Sequence, residues 1–500
     1  MSTEQVNHMT QEQFEALAKP GTIVPVFRKF NSDFITPVMA YLKIREAGTA
    51  SFLLESVQKG ENIGRYSFIG HSPFRTIKST GGKTVIGDLR ANRTLDENFF
   101  DVLKRELQNY RSVPVEGISR FTCGAVGFIG YDMIRQIERI PESRRTPVDC
   151  DDASLAFYDN LIAIDHLKNE IILIANVFVD DDSHVPTLYR DAGHRLDTII
   201  GKLNAPVTPK TEFHADEASF AANFTQEEFE RAVVRAKEHI FAGDIFQVVL
   251  SQRFTIDYTG DVFQAYRSLR GINPSPYLFY LDFVDYQLVG SSPEPLIRLE
   301  NNELEIIPIA GTRPRGATIE EDNRHAESLL ADPKELAEHI MLVDLARNDM
   351  GRVSRHGSVR VLDFETVEKY SHVMHIISRV RGELKPHLTA VDAFRASFPA
   401  GTVSGAPKIR AMEIINDIEP DRRGFYAGSI GYFDYRNNMD MCITIRSMLA
   451  KDGKLHLQAG AGIVADSVPA SEYQETLNKG MALRNAIKQA SGGINDIIYR

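Results

Sequence analysis

GFYAGSIGYFDYRNNMDMCITIRSMLAKDGKLHLQAGAGIV, residues 424–464, decides the architecture. Apolar residues recur through Gly424–Phe433, Met439–Leu449 and Leu455–Val464, separated by an Asn-rich turn and an Asp-Gly turn. Three strands therefore follow one another with no helix between, which predicts antiparallel pairing rather than βαβ crossovers. Upstream, Phe246, Val248 and Leu250 alternate as a strand. Tyr277–Phe283 and Tyr286–Gly290 read as a hairpin closed at Val284–Asp285, and Ser371–Arg381 alternates again. Helices are interspersed without regular order. Thr225 with Glu228 is a capping box, followed by Phe229, Val233, Ala236 and Ile240 at helical spacing and a stop at Gly243. Asp332-Pro333 with Glu335 opens a helix that runs to Gly351, and Ser471 with Gln474 caps a last helix through Ala490. This mixture predicts an α+β layered fold, not a doubly wound sheet.

Outward from that core, residues 1–20 read as an N-terminal extension, frayed or a short helix. Residues 21–203 form a strand-rich amino domain with strands at Thr84–Ile86, Gly124–Gly130, Leu161–Asp165 and Glu170–Val179. The acidic runs Asp151–Asp152 and Asp180–Asp182 read as solvated turns. Residues 204–224, with Pro206 and Pro209 among aperiodic polar residues, read as a linker; 225–490 is the second domain and 491–500 a C-terminal tail.

The 500 residues are 43% hydrophobic and 25% charged, which excludes a disordered or collagen-like chain. Lys+Arg 57 against Asp+Glu 68 gives −11, which argues against a nucleic-acid duplex or an anionic membrane as partner. Cys123, Cys150 and Cys442 form no C-x-x-C pair, so neither a disulfide framework nor a cysteine zinc site is expected. The N-terminus lacks a secretory signal pattern, and the longest apolar run, Ile171–Val179, is too short to span a bilayer. A soluble, cytoplasmic protein is the expectation.

Two carboxylate pairs carry chemical interest. Glu335 with Glu338, and Glu472 with Glu475, each sit three apart on one helix face, so two helices meeting could present four carboxylates to a hard cation. A lone pair of this kind is ordinarily a solvated face; here apolar neighbours (Ile340, Met341 and Val343; Tyr473 and Leu477) imply burial and a need for partners. His375 shares a strand face with Val373 and Ile377, and reads either as a satisfied core histidine or as a proton-transfer group. FPAGTVSGAPKIRAM (398–412) is a small-residue turn feeding a helix, suited to an anion or simply to a cap. AGAGIV (459–464) reads as a glycine bulge or as a close backbone approach to a ligand. Arg446, on an otherwise apolar strand, needs an acidic partner from the chain or from a substrate. The residues alone suggest a Mg²⁺-using enzyme acting on a small carboxylate, with a metal-binding scaffold protein as the non-enzymatic alternative.

PIAGTRPRG (308–316), KELAEHIMLVDLARNDMGRV (334–353), FPAGTVSGAPKIRAMEII (398–415), YAGSIGYF (426–433), ITIRS (443–447), QAGAGIVADS (458–467) and EYQETLNK (472–479) together resemble the chorismate-utilising enzyme family. LLESVQKGENIGRYSFIG (53–70) resembles the amino domain of its anthranilate synthase branch. The resemblance implies two large facing, antiparallel-rich sheets with helices outside and the active site between. It implies Mg²⁺ on Glu338 and Glu475, with Glu335 and Glu472 behind them. Chorismate would be held by Thr312, Tyr426, Arg446, Lys479, Gln247 and the Gly460, Ala461 and Gly462 segment. Glu294 in SSPEP matches a general acid for loss of the C4 hydroxyl, His375 would serve pyruvate elimination, and Thr402 would orient it or the substrate.

Two positions separate the branches. Water-using members resemble this chain but carry a lysine base where it has Gln247, which cannot act as a base. Aminodeoxychorismate synthases typically carry PIKGT with a nucleophilic lysine, where this chain has Ala310. The ammonia-using anthranilate synthase branch remains, with aminodeoxychorismate synthase or a catalytically silent Mg²⁺-binding relative as alternatives. The branch implies a separate glutamine amidotransferase subunit in a hetero-oligomer such as a heterotetramer. It also implies feedback inhibition by tryptophan, bound between Leu54, Glu55 and Ser56 on one side and Pro276, Tyr277 and Leu278 on the other.

Overall fold

The computed structural model describes residues 8–56, 64–88, 91–141, 145–146, 148–207, 212–370 and 373–493. Among these, the alternating stretches pair into one sheet of thirteen strands and one of twelve. Ladders are antiparallel except where Thr22–Asn31 meets Arg111–Ser112. Rings interlock between the sheets: Phe52 with Tyr158 at 4.8 Å and Phe68 with Tyr432 at 6.1 Å between centroids. Each pair takes one ring from either sheet, so the sheets face each other across a shared core. The expected α+β layered class is the one observed. No described helix is long and apolar enough to cross a membrane.

Both sheets draw strands from both halves of the chain. In the first, Tyr277–Asp282 pairs with Ser51–Glu55, placing Leu278 opposite Glu55. In the second, Ser429–Asp434 pairs with Gly124–Ile129. The stretch expected to be a linker carries a strand, Phe213–Ala222, on the edge of the first sheet beside Gln247–Gly260, while 208–211 lies outside the described residues. Its polar outer face, His214 and Asp216, hid the alternation. The acidic pair expected as a solvated turn also joins the halves: Asp152 accepts from Arg422 at 2.8 Å and Asp151 from Tyr286 at 2.8 Å.

Local signals formed as their chemistry dictates. The Thr225–Glu228 capping box starts the helix Gln226–Phe241, and Asp332 caps Pro333–Val353 through the Lys334 and Glu335 amides. The last helix differs. It begins at Pro469, after Val468 and with no side-chain cap, so Ser471 and Gln474 lie inside its first turns. Met439–Leu449 is not one strand but two, Met439–Ile443 in the second sheet and Ser447–Lys451 in the first. Thr444–Arg446 is the crossing, and Arg446 takes a left-handed φ of 51° there. Gly424–Phe433 likewise becomes strand only from Ser429, because Gly424 and Ala427 both turn at φ 61°. The alternating stretch at 371–381 is the strand Val373–Glu383, with Ser371 and His372 outside the described residues. Residues 1–7, 57–63 and 494–500 of the expected extension, amino motif and tail also lie outside them.

Candidate active site

The crossing at Thr444–Arg446 opens onto a cavity of about 970 Å³. Of the residues expected to serve catalysis, substrate or metal, eleven line it: Gln247, Glu294, Thr312, Glu338, His375, Thr402, Tyr426, Arg446, Gly460, Gly462 and Lys479; Glu335, Glu472 and Glu475 lie off its lining. So does Ala461. Alternation along Lys454–Ile463 turns its side chain into the apolar cluster with Phe229 and Ile415, leaving only its backbone near the wall.

Glu294 sits where the chain leaves the strand Tyr286–Ser292 for Pro295–Glu300. Burial pushes its carboxyl up to about 7, opposed by a hydrogen bond from Thr402 and the charge of Lys479. The Thr402 hydroxyl donates to Oε1 at 2.7 Å. A carboxyl tuned to this range can hold a proton at neutral pH and release it to a leaving group.

His375 projects from the strand Val373–Glu383, where Nδ1 donates to the Gly311 carbonyl at 2.8 Å. Thr312 Oγ1 lies 3.2 Å from the same nitrogen. Because a carbonyl only accepts, the proton resides on Nδ1 and Nε2 carries the free lone pair. Burial holds the imidazole below its ordinary value, against the pull of the Gly311 bond, which keeps that lone pair available. Gly311 has φ +65°, and a Cβ there would lie 2.9 Å from Leu329 and 3.0 Å from Glu335. Only glycine presents this carbonyl without strain.

The opposite wall is cationic. Arg446 is half-buried, donates to the Lys479 carbonyl at 2.6 Å, and forms no direct ion pair among the described residues, though the Glu475 charge acts on it. Burial pulls its pKa down, against the opposing influence of Tyr426 and of the Glu475 charge. The Tyr426 hydroxyl lies nearby, pushed up to about 12, chiefly by burial. A Cβ on Gly460 would come within 2.8 Å of that hydroxyl, and one on Gly462 within 2.8 Å of Gln247 Nε2. The two glycines thus let Tyr426 and Gln247 come close against the strand. Lys479 Nζ donates to the Gly460 carbonyl at 3.0 Å and pairs with Glu475 at 2.6 Å. The wall can grip a small dianion.

The carboxylate pairs approach from two helices. Glu338 is raised by burial and by Glu335, and hydrogen-bonds with Gln247; Glu472 is raised by burial and by Glu475. Lys334 and Lys479 act on both Glu338 and Glu472, so the two pairs share one neighbourhood. Glu335 is engaged by Arg313 at 3.1 Å. Among the described residues no three acidic, imidazole or thiol groups form a finished metal cluster. The donor set is all carboxylate, with Glu338 and Glu472 each raised by burial and a neighbouring carboxylate, and suits a hard divalent cation.

All six residues expected to hold tryptophan line a second, smaller cavity of about 60 Å³, together with Arg120, Asp440 and Cys442. The Ser56 hydroxyl is buried there with no hydrogen-bond partner among the described residues. Glu55 is already held by Tyr266 and by Arg270 at 3.1 Å, and Tyr277 donates to Asp440 at 3.0 Å. A benzene-sized guest needs about 150 Å³, so an indole enters only if the walls part. Pro276 lines both cavities, and Asn273–Ser275 line the larger one.

Residues not anticipated also surround the larger cavity. Gln458 lies two positions before Gly460 on the same strand face, a placement that period-two alternation predicts once the strand is known. Tyr370 packs edge-on against His375 at 5.4 Å. Nothing in the local sequence marks it.

The chorismate binding enzyme family matches residues 49–485. The anthranilate synthase component 1 of Acetivibrio thermocellus is 43% identical, over 96% of this chain and 98% of its own length. That of Pseudomonas putida is 44% identical, over 96% and 99%. The crystal structure of anthranilate synthase component I from Streptococcus pneumoniae TIGR4 superposes with a TM-score of 0.75 at 37% identity, covering 91% of this chain and 98% of that one. The menaquinone-specific isochorismate synthase of Escherichia coli shares the fold, with a TM-score of 0.71 at 20% identity over 94% and 95% of the two chains. With near full-length identity at this level and a matching fold, the chain belongs to the chorismate-binding enzyme family, among the anthranilate synthase component 1 proteins.

Proposed function

We propose that the chain converts chorismate and ammonia to anthranilate and pyruvate, the first step of tryptophan biosynthesis, as a cytoplasmic lyase. The observation that carries this reading is a protonatable carboxyl and a free imidazole lone pair lining one cavity with a guanidinium that, among the described residues, forms no direct ion pair.

Arg446 and Tyr426 take the enolpyruvyl carboxylate, and Lys479 faces the ring carboxylate. Glu338 and Glu475, backed by Glu335 and Glu472, would hold Mg²⁺, which when bound neutralises charge at the ring carboxylate. Ammonia adds at ring C2 while Glu294 gives its proton to the departing C4 hydroxyl as water. Thr402 holds that carboxyl in place. His375 Nε2 then removes the C2 proton, the ring becomes aromatic, and the enolpyruvyl group leaves as pyruvate. Gln247 and Ala310 support ammonia as nucleophile, since neither supplies an amine to activate water or attack the ring.

Free ammonia is scarce near neutral pH, and a glutamine amidotransferase subunit is the expected source, assembled with this chain as a heterotetramer. Tryptophan is the expected feedback inhibitor at the smaller cavity. Because Pro276 belongs to both cavities, opening one moves a wall of the other, and linkage makes the coupling reciprocal. Fluorescence of anthranilate formed from chorismate, Mg²⁺ and ammonium tests the activity directly.

A further inference from the structure

Behind the catalytic wall lies an ion pair that this chemistry does not use. Arg423 and Glu419 have side chains only 1% and 4% exposed. Arg423 donates to Glu419 from Nε at 2.9 Å and from Nη2 at 2.6 Å. It also donates to the Val403 carbonyl at 2.6 Å and to the Val249 carbonyl at 2.7 Å. Glu419 Oε1 accepts from the Ser251 amide and hydroxyl, both at 2.8 Å, and Ser251 Oγ accepts from Gln458 at 2.8 Å. The guanidinium lies 5.7 Å from the Tyr426 ring centroid and 4.7 Å from that of Tyr131. Val249, Val403, Tyr426 and Gln458 all line the large cavity, from four separate segments; Arg423 and Glu419 do not line it.

A buried ion pair is not in itself a stabilising device, since apolar side chains of similar volume often serve equally well. Apolar side chains could not satisfy the Val249 and Val403 carbonyls, and bare buried carbonyls are strongly disfavoured. Val403 directly follows Thr402, the donor to Glu294. We infer that Arg423 and Glu419 are positioning residues that lock the Thr402 turn against the strand Gln247–Gly260, and so set where the Glu294 proton meets the substrate. The inference rests on the function proposed above. Arg446 and Lys479, which grip carboxylates, have no bond to this pair among the described residues.

The test is a double-mutant cycle between Arg423→Lys, which keeps the charge but loses the planar fork, and Thr402→Val. Arg423→Lys should lower kcat with ammonium by about 10- to 100-fold, the range expected when a reacting group is misplaced by about 1 Å. KM for chorismate should change by less than about threefold, because Arg446 and Lys479 have no bond to the pair and the lysine variant keeps a cation beside the Tyr426 ring. In the Thr402→Val background, Arg423→Lys should cost less than about threefold further, since its effect passes through Thr402. Losses that multiply in full, or a kcat unchanged by Arg423→Lys, overturn the inference. If Arg423→Lys fails to fold, Glu419→Gln takes its place in the cycle.

Amide exchange gives a reading independent of turnover. Exchange across 398–405 should rise in the Arg423 variant while that of Glu170–Val179 stays unchanged, and an unaltered rate at 398–405 also overturns the inference. A wild-type chain inert toward chorismate and ammonium would instead sink the proposed activity, leaving the exchange result to judge the lock.

Discussion

Thr402 and Glu294, 108 residues apart in the chain, meet through a 2.7 Å hydrogen bond inside the large cavity. The hydroxyl and the burial act in opposite directions on one carboxyl, and burial prevails, leaving it at about 7. On the proposed mechanism this balance sets the pH range of the enzyme.

Turnover needs Glu294 protonated and His375 neutral. At saturating chorismate, with rates corrected for free NH₃, kcat should therefore fall as pH rises through about 7. It should fall again on the acid side, below the ordinary imidazole range, because burial lowers the His375 pKa. Thr402→Val removes the bond that favours the charged carboxylate, so the alkaline limb should move to higher pH. A limb that stays put or moves down would mean that another group is the acid.

His375→Met should separate the two stages. The aminated diene should still form, with little pyruvate released, and chromatography of the quenched reaction would resolve it from anthranilate. Loss of amination together with elimination, in a folded protein that still binds Mg²⁺, would assign His375 a different role.

Arg446→Lys keeps one charge but cannot make a bidentate grip. Its kcat/KM for chorismate should fall at least ~10-fold, about 1.4 kcal/mol of transition-state binding. Kinetics close to wild type would remove Arg446 from the substrate wall.

Ser56→Phe fills space in the smaller cavity that Ser56 lines. Tryptophan should then no longer inhibit, with kcat nearly intact. Full inhibition of this variant would place the inhibitor elsewhere.

The legible parts of the sequence were those governed by short-range rules. The Asp332 cap, the Thr225 capping box and the Tyr277–Tyr286 hairpin follow from local chemistry, and all are present. The i,i+3 spacing placed Glu335 with Glu338 and Glu472 with Glu475 as interacting pairs. What escaped was set by long-range pairing. Apolar residues recur through Met439–Leu449 with only a slip at Ser447–Met448, yet the chain changes sheets at Thr444–Arg446, where the Ala427 amide donates to the Thr444 carbonyl. The strand Phe213–Ala222 has an edge position and a polar face, and resembled a linker. Glu294 carries no local mark of catalysis; only resemblance pointed to it, and only burial explains its raised pKa. The Arg423–Glu419 pair looks like any surface i,i+4 pair until its surroundings are known.

The most direct measurement is product formation by the chain alone. With chorismate, Mg²⁺ and an ammonium salt it should release anthranilate, read by fluorescence, with an equimolar amount of pyruvate. With glutamine in place of ammonium it should be silent until an amidotransferase subunit is added. Chorismate left unconsumed, or converted to aminodeoxychorismate without pyruvate, would contradict the proposed function.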